Sequence, residues 1–276
     1  MHHIKYDEAK TLIDAGIAVL LTGEKGSGKT TMAKQIAEEL KLPFYSVSMT
    51  RQTTLSYLLG FMNVSGVYIP SLLRKAAEQG GMYLLDEMDA GDPNVLLALN
   101  TIENGFISFP DGLIDLHKDF RLVATANPQN EHAHYTGRAK LDAATLDRFD
   151  QILVQRDEQL EKTLVDSDTH RHITALREVL REVNSSVVVS MRDSMRFQQR
   201  KDLGLLDGFV HRIVGEDNEL VVEKYEKFLE TLPKYTDQSE CQTLFDLAEL
   251  VVKQSGVEVT LPRQPKAKAG EQVPPF

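Results

Sequence analysis

The stretch LLTGEKGSGKTTMAKQIAEEL, Leu20–Leu40, decides the fold. Gly23, Gly28, Lys29 and Thr30 stand in the pattern G-x-x-x-x-G-K-S/T. An apolar run leads into the pattern and a helical pattern, Thr31–Leu40, leaves it. Glycines let backbone N–H groups close around phosphate oxygens, and the N-terminus of the following helix adds partial positive charge. The cradle is then Gly23, Glu24, Lys25, Gly26, Ser27, Gly28, Lys29, Thr30 and Thr31. In such a loop the lysine reaches the β- and γ-phosphates and the hydroxyl of Thr30 is a ligand for Mg²⁺. A chance glycine-rich turn would not need either flank.

Outward from this loop the chain alternates β-type runs with helical patterns as far as residue 156. The β-type runs are AVLLT (Ala18–Thr22), FYSVSM (Phe44–Met49), MYLLD (Met82–Asp86), LVATA (Leu122–Ala126) and QILV (Gln151–Val154). They are nearly continuous apolar segments, as buried parallel strands are. Helical stretches such as PNVLLALNTIEN lie between them. This alternation predicts an α/β domain over residues 1–156, a parallel sheet flanked by helices. One insertion, GFISFPDGLIDLH (Gly105–His117), has two alternating runs around PDG, a hairpin signature. After residue 156 the patterns DEQLEKTLV, ITALREVLREV, MRDSMRFQQR, LLDGFVHRIV and VEKYEKFLETL all favour helix. They predict a small helical domain over 157–254. Residues 255–276 turn to Gly, Pro and Lys and predict a disordered tail.

Composition narrows the function classes. The chain has 276 residues, ample for an independent core, and 26% of them are charged. A net charge of −10 does not suit a protein that coats nucleic acid or anionic membrane with its whole surface, although a local basic groove is compatible with it. The lone Cys241 has no partner for a disulfide, and its setting is that of a small buried hydrophobe. GIAVLLTG, the longest apolar run, is too short to span a bilayer, and the polar start MHHIKYDEAK is not a signal peptide. The expectation is a cytoplasmic protein with no membrane partner. The pairs His132/His134 and His170/His172 have no carboxylate or cysteine cluster beside them and are expected to be surface histidines rather than metal ligands.

Two further segments bear on chemistry. In GGMYLLDEMD an apolar strand ends in Asp86 and Glu87. A strand-terminal aspartate in this fold sits at the carboxyl edge of the sheet beside the phosphate loop, where Asp86 would hold Mg²⁺ directly or through water. Glu87 would orient or deprotonate an attacking water, which favours hydrolysis over transfer to another acceptor. In LVATANP, Asn127 follows another apolar strand. If that strand lies beside the first, the amide would point at the γ-phosphate and the water. An asparagine before proline is also a turn former.

GEKGSGKT, LLDEMD, TANP, YTGRAKLDAATLDRF and SMRDSM together resemble the AAA+ ATPases, more narrowly the MoxR/CobS-type branch, with its CbbQ-like activases and its relation to the McrB motor. The similarity covers about residues 5 to 215. The resemblance implies an ATP-hydrolysing ring, usually hexameric, with nucleotide at subunit boundaries, and makes the helical domain a lid. It implies that Arg148 is an arginine finger reaching a neighbour's site, Arg138 being a second candidate. The alternative for Arg148 is a surface salt bridge with Asp147 or Asp150. Arg192 matches the sensor-2 arginine; relatives commonly have proline where this chain has Met191, and Arg196 is the fallback. The hairpin at 105–117 resembles the branch's insertion, and GFMNVSGVY (Gly60–Tyr68) falls where a first pore loop would be. Phe61 and Tyr68 there either grip a substrate or simply pack. Such rings remodel a separate protein, often of the VWA type, and this is the function expected. A nucleic-acid motor component is the alternative, less favoured because no helix-turn-helix or zinc module is present. A switch that binds without turnover has no use for Glu87, Asn127 and Arg148 together.

Overall fold

A computed structural model describes residues 1–128, 141, 143–206, 208–215 and 219–231. Met1–Tyr225 forms one compact unit; of the second, Glu226–Phe276, the described part is the end of one helix.

The first half runs α1 (Tyr6–Asp14), β1 (Val19–Thr22), α2 (Lys29–Glu39), β2 (Phe44–Ser48), α3 (Leu55–Leu59), β3 (Phe61–Met62), β4 (Tyr68–Ile69), α4 (Leu72–Gln79) and β5 (Gly81–Asp86). Then come α5 (Pro93–Leu96), β6 (Phe106–Phe109), β7 (Gly112–Asp115), β8 (Phe120–Ala126), α6 (Ala143–Asp147) and β9 (Asp150–Leu153). β1, β2, β5, β8 and β9 form a parallel sheet in the order β2-β5-β8-β1-β9. The three inner strands are buried on both faces, and alternate residues feed two cores. Val19, Leu21, Met82, Leu84 and Val123 pack with Ile13 of α1 and Met32 and Ile36 of α2. Leu20, Tyr83, Leu85 and Ala124 pack with Leu58 of α3 and Leu73 of α4. The expected strands are all present. β2 and β9, however, are edge strands in which most residues are partly or fully exposed, so only the inner three are sealed on both sides.

The helix expected over PNVLLALNTIEN is broken. α5 gives way to 3-10 turns at Leu97–Leu99 and Ile102–Asn104 and ends at Gly105 in the left-handed region. Asn100 and Thr101 are weak helix formers, and the α pattern fails there. β6 and β7 form the expected hairpin, pairing Phe109 with Gly112 across Pro110-Asp111. A second, smaller hairpin, β3–β4, occupies the segment expected to be a loop.

The described residues after β9 form the helices α7 (Glu158–Leu164), α8 (Ser167–Glu182), α9 (Met191–Asp202), α10 (Phe209–Val214) and α11 (Glu219–Thr231). Their starts are readable in the side chains. Asp157 and Asp166 accept N–H groups at the first turns of α7 and α8, and the Asp193 carboxylate accepts both the N–H and the hydroxyl of Ser190 at α9. α7, α8 and α9 pack on one another around a buried ion pair. The Glu161 carboxylate, 1% exposed, accepts two hydrogen bonds from the Arg177 guanidinium at 2.8 and 2.7 Å, and a third from the Ser194 hydroxyl. Arg177 also donates from Nε to the Val189 carbonyl at 2.9 Å, just before α9. Burial pushes the Glu161 carboxyl up, but the bonds from Arg177 and Ser194 outweigh it and hold the group below the usual carboxylate range.

The pair His170/His172 is partly buried rather than fully at the surface. Their side chains are 15% and 21% exposed. His172 bonds the Tyr225 hydroxyl at 2.7 Å and stacks on Phe197. Burial lowers the pKa of both rings. His132/His134, Cys241 and the 255–276 tail lie outside the described residues.

Candidate nucleotide site

β1, β5 and β8 are neighbours, so their carboxyl ends deliver three segments to one place: the glycine loop, Asp86-Glu87 and Asn127. They line a single pocket with Lys25, Gly26, Gly28, Lys29, Thr30 and Thr31. The loop is held tightly. Gly26 and Gly28 have φ of 79° and 96°, in the region that favours glycine. A Cβ on Gly23 would meet the Val154 carbonyl oxygen at 2.0 Å, so no larger residue fits there. Ser27 is buried under the loop, while Gly23 and Glu24 offer their carbonyls to Lys29 Nζ at 2.6 and 2.9 Å.

The acidic corner is organised by hydroxyls. Asp86 Oδ1 accepts from Thr30 Oγ1 at 3.0 Å and from Thr125 Oγ1 at 2.6 Å. Thr125 Oγ1 in turn accepts the Glu87 N–H at 2.9 Å. Glu87 itself is left-handed, φ 55° and ψ 43°, a strained choice for a non-glycine residue of the kind found at functional sites. Hydroxyl and carboxylate oxygens of Thr30 and Asp86 meet beside the glycine loop. That hard-oxygen pair fits Mg²⁺, which takes few protein ligands when phosphate supplies others. Thr125 carries little signal in the sequence alone. The available signal was a threonine inside the otherwise apolar LVATA run, on a strand that had to pass the Asp-Glu pair.

From the helical half, Arg192 reaches the same pocket. Met191 is the first residue of α9, the position where proline is well tolerated, so a methionine there leaves the helix start unchanged. Arg196 is not among the lining residues; it faces Asp193 at 3.7 Å, half exposed. The α9 start also touches the glycine loop directly. A Cβ on Gly26 would lie 2.5 Å from Ser190 Oγ and 3.3 Å from Arg192 Cβ.

Arg148 is not in the pocket. It lies after α6, and its Nε is 3.6 Å from Glu103 Oε1, neither Asp147 nor Asp150 being the partner. Arg138 lies outside the described residues. In the β3–β4 hairpin, Phe61 is 48% exposed. Tyr68 is committed: its hydroxyl donates to the Leu59 carbonyl at 2.6 Å and its ring lies under the Arg74 guanidinium. Arg74 is also 4.9 Å from the Phe109 ring centroid, bonds Asp111 at 2.6 Å and pairs with Glu78 at 2.8 Å. Among the described residues no helix is long and apolar enough to cross a membrane.

Residues 18–149, just under half of the chain, match the AAA domain family (dynein-related subfamily). They include the glycine loop, the acidic corner, Asn127 and Arg148. Midasin of Giardia intestinalis is 28% identical over 76% of this chain, which spans only 5% of midasin's length. An uncharacterized protein of Staphylococcus epidermidis is 25% identical over 67% of this chain and 76% of its own. Among solved structures, NtrX from Brucella abortus in complex with ADP aligns at 15% identity with a TM-score of 0.47, over 91% of this chain and 59% of that one. That is a loose likeness. The family match over residues 18–149 and the parallel sheet flanked by helices give this domain a P-loop fold of the AAA type, the fold of an ATPase.

Proposed function

We propose that this ATPase works as a ring, hexameric in the simplest form, that hydrolyses Mg-ATP at subunit boundaries and remodels a separate partner protein. The observation that carries the hydrolytic reading is the acidic corner. A strained Glu87 is pinned beside Asp86, with Asn127 and Lys29 around the same pocket. Lys29 holds the β- and γ-phosphates, and the cation held by Thr30 and Asp86 neutralises phosphate charge when bound. Asn127 orients a water on the γ-phosphorus. Glu87 takes its proton as the new P–O bond forms, the bond to the bridging oxygen breaks, and ADP and phosphate leave.

The helices α7 to α11 act as the lid, and Arg192 joins lid to nucleotide. Arg148 points to the ring. It is not among the residues that line its own pocket and is paired with a half-exposed glutamate that a neighbour's phosphate can displace. A guanidinium supplied across a boundary stabilises transition-state charge and makes turnover depend on assembly. The acidic charge of −10 favours a protein partner, of VWA type or otherwise, over nucleic acid.

The test is a Glu87→Gln protein loaded with ATP. It is expected to bind nucleotide and not turn it over; persistent turnover removes Glu87 as the base. The same protein, used as bait with and without nuclease, is expected to retain a nuclease-resistant protein. Material lost on nuclease treatment would instead mark a nucleic-acid motor.

A further inference from the structure

We propose that Thr125 is a positioning residue for hydrolysis, one hydroxyl that sets both acidic residues at once. The inference rests on the hydrolytic reading above and adds a residue to it. Thr125 is 1% exposed on β8, in a strand whose other residues near it are apolar. Its hydroxyl has one hydrogen to give and lone pairs to receive. The Asp86 carboxylate can only accept, so the hydrogen goes to Oδ1, at 2.6 Å. The lone pair then takes the Glu87 N–H, at 2.9 Å. Polarity is fixed in both bonds, and neither can be supplied by an apolar isostere.

Two consequences follow for the reacting atoms. Asp86 Oδ1 is engaged by Thr125 and by Thr30, at 2.6 and 3.0 Å, which sets the carboxylate plane beside the Thr30 hydroxyl. The Glu87 amide is anchored to β8, which holds that residue at φ 55° and ψ 43° and thereby aims its side chain. Thr125 also stands two residues before Asn127, so the strand that carries the asparagine is tied to the strand that carries the base. Thr125 touches no reacting atom; it acts through Asp86 and Glu87.

Thr125→Val keeps the shape and removes both bonds; Thr125→Ser keeps both. In the full-length chain, turnover is measured against ATP and against Mg²⁺, and nucleotide binding is measured separately with a fluorescent ATP analogue. Thr125→Val is expected to lower kcat about 10- to 100-fold, the usual range for a group that orients a metal-site ligand. It is expected to raise the Mg²⁺ needed for half-maximal turnover while leaving analogue binding in place, and Thr125→Ser restores both values. If Thr125→Val does not fold, Thr125→Ala removes the same hydroxyl with less bulk at the branch. Parental kcat in the hydroxyl-free protein, or a Ser protein as slow as the Val protein, overturns the inference. Glu87→Gln runs alongside. Turnover by Glu87→Gln would fail the hydrolytic reading itself, whereas an inactive Glu87→Gln with a fully active Thr125→Val fails only the role of Thr125.

Discussion

Replacing Arg177 with methionine tests the buried pair beneath α9. The substitution keeps a long apolar stem and removes the guanidinium. Glu161, 1% exposed, then loses hydrogen bonds of 2.8 and 2.7 Å and keeps only the Ser194 hydroxyl and Arg156, whose Nη1 is 3.8 Å away. Stranding one member of a buried pair costs about 3–5 kcal/mol, and the two remaining partners place this case near the lower end, about 3 kcal/mol. For a unit of this size that is roughly 6–12 °C in Tm. The pH dependence has a definite sign. In the parent the Glu161 pKa is held low, so its contribution is present above the unfolded carboxyl value and is lost as pH falls through the folded one. Without Arg177 the effect of burial dominates and the pKa rises, so the variant sheds its unpaired charge by protonation at mildly acidic pH. Thermal unfolding followed by circular dichroism, at roughly pH 7.5 and pH 5, should show the gap between parent and variant narrow at the lower pH. A Tm within about 2 °C of the parent at the higher pH would show that losing Arg177 costs little here, and a large gap that does not change with pH would refute the protonation of a stranded Glu161.

Three other outcomes are expected. Arg148→Ala should lose about 10³-fold in kcat while binding ATP normally, and mixing it with Lys29→Ala protein should recover part of the activity, since each supplies what the other lacks; no recovery removes the trans assignment. Gly26→Ala places a Cβ 2.5 Å from Ser190 Oγ at φ 79°, so it should push α9 from the loop and weaken ATP binding about tenfold, read by equilibrium titration. Arg74→Met should lower stability by about 1–3 kcal/mol through the loss of Asp111, Glu78 and two aromatic faces, read by denaturant unfolding; a smaller change would mean that the rings alone hold the two hairpins.

Sequence was most informative where one element contained its whole signal. The glycine loop carries its own flanks, and the inner strands were legible because burial on both faces removes any polar alternation. β2 and β9 were found too, but their edge positions were not, because edges depend on strand order rather than on the strand. The β3–β4 hairpin was missed since two-residue strands leave no period to read, and Asn63 makes its turn with side-chain bonds to Ser65 and Val67. The helix after Asp92 was over-read because leucines at helical spacing outweighed Asn100 and Thr101. Asp86 and Glu87 could be picked out as a pair at a strand end. Thr125 could not, because its importance lies in crossing from one strand to the next, and only the β5–β8 register brings Leu85 opposite Ala124 and so Asp86 beside Thr125. The Glu103 partner of Arg148 was hidden for the same reason: forty-odd residues of chain separate them, and folding closes the gap.

A two-stranded ribbon is at best marginally stable by itself, and the described residues include two, β3–β4 and β6–β7. The Arg74 guanidinium is sandwiched by a ring from each, Tyr68 at 5.1 Å and Phe109 at 4.9 Å, and is bonded into the turn of the longer ribbon at Asp111. Its own backbone belongs to α4, which packs against β5, the strand that ends in Asp86. The two tips therefore share a single rivet, and a force on either one is delivered to the same helix and, through it, to the strand that ends at the acidic corner.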